Sequence, residues 1–192
     1  MEIYLIRHTT PDIPRGVCYG QADIDVKETF HAEASMIKKH LPDYIQHVYS
    51  SPLKRCRKLA EWLFPRMPVL FHDDLKEINF GDWELKKWDD ISKDETQPWM
   101  ENFVNVCAPG GENYVRLFNR SIDLFNQIEQ TAAVAIVTHG GVIRSILSHI
   151  TNTSLKDSFH TFSLHYGCVV KIFKENNQYT YEFIHNMKPA EV

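Results

Sequence analysis

Arg7 and His8 close a short apolar run, Ile3-Tyr4-Leu5-Ile6, and His139 closes a second one that begins at Ala133. A histidine at the junction of a buried strand and a loop presents its ring on a rigid mount. An arginine beside it adds a fixed positive charge. Gly140 and Gly141 follow the second histidine, and glycine lets a backbone approach a ligand closely. Two such junctions point to one anionic site assembled from distant parts of the chain. Arg55, inside the basic run Lys54-Arg55-Cys56-Arg57-Lys58, is a third source of charge.

The elements around these residues place them. Residues 2–6 read as a strand and 9–25, rich in Pro, Gly and Asp, as a loop. A helix is expected over 28–40 and a second short strand at Val48-Tyr49. Ser51 can cap the next helix, with Pro52 at its first position. Leu53, Cys56, Ala60 and Leu63 give that helix an inward face. Val69-Leu70-Phe71 follows as a strand, and short helices are expected near 86–92 and 97–105. A helix over 113 to about 130, a buried strand at 133–138 and a further helix from Gly140 come next. The chain closes with a hairpin, 165–173 and 179–184, turning at 175–178.

Alternation of strands and helices implies an α/β fold, a three-layer α/β/α sandwich. Its sheet is mainly parallel, with an antiparallel edge near the C-terminus and a small capping insertion at 85–112. One domain over residues 1–192 suits this length. Ligands of such sheets bind beyond the carboxyl ends of the strands. That rule puts His8, Arg55 and His139 at one sheet edge, where helix N-termini add positive potential. The pocket suits a dianion such as a phosphoryl group.

Composition narrows the partners. Lys plus Arg number 21 against 25 Asp plus Glu, a net charge of −4, which speaks against a nucleic-acid protein. Cys18, Cys56, Cys107 and Cys168 form no C-x-x-C pair, so a disulfide framework or structural zinc site is not expected. No apolar run reaches membrane-spanning length and no leader precedes the first strand, so the chain reads as cytoplasmic. The spacing of His149, His160, His165 and His185 matches no zinc motif.

Five segments taken in order resemble the histidine phosphatase superfamily, the phosphoglycerate-mutase-like group. They are Arg7-His8-Thr9, Ser51-Pro52-Leu53-Lys54-Arg55, Leu75 to Glu84, Pro109-Gly110-Gly111-Glu112 and Val137-Thr138-His139-Gly140-Gly141. Within that group, Arg15 to Asp23 looks like the segment found in α-ribazole phosphatases of cobalamin nucleotide-loop assembly.

The resemblance implies a phosphomonoesterase that uses no metal or other cofactor and takes a small-molecule substrate. His8 would attack phosphorus, its pKa depressed by Arg7 and Arg55. Arg7, Arg55 and His139 would hold the phosphoryl oxygens. Glu77 would protonate the leaving alkoxide, which needs a partly desolvated setting that Phe80 and Trp83 could supply. Glu84 is acidic and close by, but the resemblance aligns Glu77 with the proton donor. Arg57, two positions beyond Arg55, reads as solvated or salt-bridged. Tyr19, Gln21, Thr9 and Gly140 are the expected substrate-binding residues. Trp88, Trp99 and Phe103 are packing residues or an aromatic lid.

Thr9 stands where many members have Gly, and Pro14 where many have a phosphate-binding Asn. That leaves one contact to Thr9, Thr10 or a backbone amide. The alternatives are a phosphoglycerate mutase, a broad-specificity or protein phosphohistidine phosphatase, and a non-catalytic phospho-ligand module. Oligomeric state is not legible in the chain.

Overall fold

The structure is a computed structural model, and residues 2–128, 132–176 and 178–187 are described. Six strands form one sheet in the order β3-β2-β4-β1-β5-β6. They are β1 (Glu2–Arg7), β2 (His47–Ser50), β3 (Val69–Phe71), β4 (Ala133–Thr138), β5 (Val169–Glu175) and β6 (Gln178–His185). β3, β2, β4 and β1 run parallel, and β5 and β6 add an antiparallel edge. Asn177, in the expected hairpin turn, lies outside the described residues, as do the last positions of the helix expected to reach 130.

Side chains alternate across β1, as the pleat requires. Ile3 and Leu5 join the core beneath α4 (Tyr114–Gln127) and α5 (Gly140–Thr151). Tyr4 and Ile6 join the opposite core beneath α1 (Phe30–Lys38) and α2 (Lys54–Leu63). Both faces of the sheet are therefore covered, which is the three-layer arrangement. α4 starts where the Asn113 side chain accepts the Arg116 N–H at 3.0 Å. A third cluster of Cys18, Trp83, Ile91 and Ala108 forms a satellite core under the segment after β3.

Three local expectations change. α2 begins at Lys54, with Leu53 in extended conformation before it and no side-chain cap. The Ser51 N–H is still bonded to Val137 O at 3.0 Å, so the chain leaves the sheet there and needs Pro52 and Leu53 to turn. The expected helix at 86–92 is a single 3-10 turn, Trp88–Asp90. The next helix, α3, spans Lys93–Glu101 rather than 97–105, because Ser92 caps it from the Asp94 N–H. A four-residue helix, α6 (Ser158–Thr161), lies between α5 and β5.

Pairing of β1 with β4 and of β4 with β2 makes the ends of three strands neighbours. The His8 N–H donates to Thr138 O at 3.0 Å, so the first histidine sits directly beside the residue that precedes the second.

Two side chains then fix the loops over this edge. The Glu84 carboxylate accepts the N–H groups of Gly20, Gln21, Ala22 and Phe80 at 2.8–3.1 Å. Arg120 donates to the carbonyls of Asp74, Lys76 and Glu77 and pairs with Glu112 at 2.6 Å. Glu84→Ala would strand amides in a half-buried loop. Urea unfolding should show a loss of about 2 kcal/mol, against a near-neutral result for the exposed Glu61→Ala.

Candidate active site

His8 is 2% exposed, and its Nδ1 lies 2.7 Å from the Thr9 carbonyl oxygen. A carbonyl only accepts, so Nδ1 carries the proton and the Nε2 lone pair is free. His139, fully buried, receives the Arg55 guanidinium at Nδ1, 3.2 Å away. A guanidinium only donates, so here Nδ1 bears the lone pair. Nε2–H then donates to Ser51 Oγ at 2.8 Å. The rings stand 5.1 Å apart, edge to face, in opposite neutral tautomers. Ser51 Oγ thus serves His139 and also accepts the Leu53 N–H, just before α2, at 3.3 Å.

Burial is the largest cause that holds His8 well below the usual histidine pKa, followed by the charges of Arg55 and Arg7. His139 is lowered in the same way, by burial first and then by Arg55.

Neither arginine has an acidic partner among the described residues. Arg55, fully buried, donates to Ala22 O at 2.9 Å and Gly20 O at 2.6 Å. Arg7 donates to Leu164 O at 2.6 Å and lies over the Tyr166 ring, 4.2 Å from its centroid. The Nε of each is buried without a hydrogen-bond partner among the described residues. Burying an unbalanced cation is costly, so the arrangement favours an incoming anion.

Glu77 is held by its own carboxylate: Oε1 accepts the Ile78 N–H at 2.9 Å and Oε2 the Gly141 N–H at 3.0 Å. A Cβ on Gly141 would collide with Glu77 Oε1, which is why the second glycine matters. A cavity of about 480 Å³ brings Glu77 to the same space as His8 and Arg7. Its apolar wall holds Phe80, Trp99, Phe103 and Phe159. Trp83 is not part of that wall. It is packed in the satellite core with Nε1 on Glu95, so Phe80 and its aromatic neighbours supply the apolar setting.

The expected substrate-binding residues divide. Tyr19 lines the cavity and its hydroxyl meets that of Tyr166 at 2.7 Å. Gln21 turns away and donates its amide to the Glu77 carbonyl at 3.1 Å. Thr9 is fully buried with Oγ1 unpartnered among the described residues, whereas both donors of Thr10 are spent on Glu33. Of the two threonines, Thr9 is thus the one whose hydroxyl is left without a partner among the described residues. Gly140 makes room: a Cβ there would stand 3.4 Å from Arg7 Cζ. Arg57 is exposed and lies over Phe71, 4.8 Å from the ring centroid, rather than in a salt bridge. Trp88 stacks on Trp99 behind the wall, 5.7 Å between centroids.

Sequence reasoning missed Glu84, Arg120 and Arg144. Glu84 orders the carbonyls that grip Arg55, and Arg120 grips the strand of backbone that carries Glu77. Arg144 lines the cavity one helical turn after Gly140. That i+4 spacing on a helix opening at the site was the available signal. His149 packs against Phe118 and Phe125, and His185 stacks on His40. Among the described residues no group of three or more His, Cys, Asp or Glu is placed to hold a metal ion, and no helix is long and apolar enough to cross a membrane.

The neutral histidines link folding to pH. In the unfolded chain each would take up a proton near pH 6.5, so the unfolded state binds more protons as pH falls. Their contribution is complete above that value and is lost below it. Thermal unfolding of wild type should weaken more between about pH 7.5 and about pH 5.5 than that of His8→Ala. Equal losses in the two proteins would contradict a buried neutral His8.

The chain is 31% identical over 166 residues to the metal-independent phosphoserine phosphatase of Arabidopsis thaliana, covering 80% of this chain and 70% of that protein. It is 24% identical over 180 residues to the adenosylcobalamin/alpha-ribazole phosphatase of Salmonella typhimurium, covering 88% of each. The crystal structure of the alpha-ribazole phosphatase from Shigella flexneri shares the fold, with a TM-score of 0.89 over the whole of both chains at 21% identity. The model of the histidine phosphatase superfamily (branch 1) matches residues 3–186, and the chain with its paired strand-end histidines belongs to that superfamily.

Proposed function

We propose that the protein is a phosphomonoesterase that works through a phosphohistidine at His8 and needs no metal. One observation carries this reading: two arginines without acidic partners among the described residues flank a histidine whose Nε2 lone pair is free. The arginines supply the charge that a metal ion supplies to other phosphoryl-transfer enzymes.

In the first step His8 Nε2 bonds to phosphorus as the P–O ester bond breaks, and the leaving alkoxide takes a proton from Glu77. In the second, water bonds to phosphorus, its proton passes to Glu77 and the P–N bond breaks, releasing phosphate. Arg7 and Arg55 hold the phosphoryl oxygens, with the Thr9 hydroxyl as a further donor, and the neutral His139 joins them when its Nε2–H exchanges Ser51 Oγ for a phosphoryl oxygen. The segment 85–112 acts as a cap, since it contributes Trp99 and Phe103 to the cavity wall.

Two alcohols fit. The aromatic wall suits the flat base of α-ribazole 5′-phosphate, as the resemblance of Arg15 to Asp23 suggests. Gly20, Gln21 and Ala22 of that segment, however, are spent on Arg55 and Glu84, and Tyr19 alone of it lines this cavity. The second reading is a short anionic alcohol such as the serine of phosphoserine, favoured by Arg144 in the cavity wall.

Turnover of p-nitrophenyl phosphate should survive EDTA in wild type and fall by about 10³-fold or more in His8→Ala. Equal turnover in the two proteins, or loss of activity with EDTA, would overturn this mechanism, and no turnover in wild type would favour a binding module. Rearrangement of 3-phosphoglycerate without phosphate release would favour a mutase. Glu77→Gln should still release p-nitrophenol yet lose about 10²-fold or more on an alkyl phosphate. Gly141→Ala should show the same split, because its methyl group displaces the Glu77 carboxylate.

A further inference from the structure

Arg144 differs from every other arginine outside the phosphoryl pocket. It is on the first turns of α5, lines the cavity with His8 and Glu77, and is half-buried. Its Nε is buried without a partner, and its guanidinium is in no ion pair or side-chain hydrogen bond among the described residues. Its recorded contact is the face of Phe159, 4.6 Å from the ring centroid. Glu77 is the acid lining the same cavity, but its two oxygens are occupied by backbone amides and stand beyond ion-pair distance.

Position says which anion would satisfy it. A Cβ built on Gly140 would stand 3.3 Å from Arg144 Nη1 and 3.4 Å from Arg7 Cζ. The two guanidinium groups thus reach the same point beside Gly140. Arg7 borders the nucleophile in sequence and belongs to the phosphoryl group. Arg144 shares its part of the wall with Tyr114 and Phe159, which continue through Phe103 into the apolar wall. A planar guanidinium backed by an aromatic face matches a carboxylate with two parallel hydrogen bonds.

We propose that Arg144 is a specificity-determining residue that binds a second oxyanion on the alcohol, a carboxylate one or two carbons from the ester oxygen. The inference rests on the phosphomonoesterase reading and chooses between its two alcohols. A short carboxylate-bearing phosphomonoester fits, and a neutral nucleoside leaves Arg144 desolvated without a counter-charge.

The test compares substrates that differ in that charge: 3-phosphoglycerate against glycerol 3-phosphate, and phosphoserine against phosphoethanolamine. Wild type should prefer the carboxylate member of each pair by about 10- to 100-fold in kcat/KM. Arg144→Met should erase the preference, and Arg144→Lys, which keeps the charge, should restore part of it. Absence of a preference in wild type, or an equal loss on both members in Arg144→Met, would overturn the role. If wild type hydrolyses none of them but turns over p-nitrophenyl phosphate, the role of Arg144 is overturned and the phosphatase reading stands; if it turns over neither, the phosphatase reading fails. Calorimetric binding of the same pairs to His8→Ala then decides Arg144 by itself, equal affinities counting against it.

Discussion

The site is organised by unbalanced positive charge. Arg7 and Arg55 are held at the carboxyl edge of the sheet by carbonyl oxygens, with no carboxylate beside either among the described residues. Carbonyl dipoles orient a guanidinium and satisfy its donors while leaving its charge intact. The histidines must live beside that charge, and they do so as neutral rings. Their neutrality leaves His8 with a free Nε2 lone pair and His139 with an N–H to donate.

Holding such a cluster requires stiffness, and the fold supplies it from outside the site. β1, β4 and β2 are adjacent, so three strand ends are tied by ladder hydrogen bonds before any side chain is placed. Glu84 gathers the 20–22 loop by its amides, which turns the carbonyls of Gly20 and Ala22 toward Arg55. Arg120 does the converse for residues 74–77, gathering carbonyls and leaving the Glu77 side chain free to reach α5. Each clamp uses a charged group against main-chain dipoles, so neither adds a competing ion to the pocket.

Much of this was legible in the chain. Strand-helix alternation located the layers and the sheet edge, and the strand-end histidines with Arg55 fell there because parallel sheets carry sites at their carboxyl ends. What escaped was set by contacts between distant residues. Ser51 looks like a cap because of its neighbours in sequence, and its hydroxyl does accept the Leu53 N–H, but its shorter bond is to His139, 88 positions away. Trp83 looks like a wall for Glu77 because it is close in sequence, yet Phe80 is the one that lines the cavity. Glu84 was passed over as a failed candidate for Glu77's role, because a carboxylate's amide partners are invisible until the loops are folded. Arg144 carried no motif of its own.

The tautomer of His8 is set by the bond that its Nδ1–H donates to the carbonyl of Thr9, a main-chain atom that every amino acid possesses. Selection of the reactive nitrogen is therefore insulated from substitution at position 9. The side chain there can be exchanged for another hydroxyl, or for none, without disturbing the tautomer. The position beside His8 is therefore one where the side chain can vary while the ring keeps the same nitrogen bare.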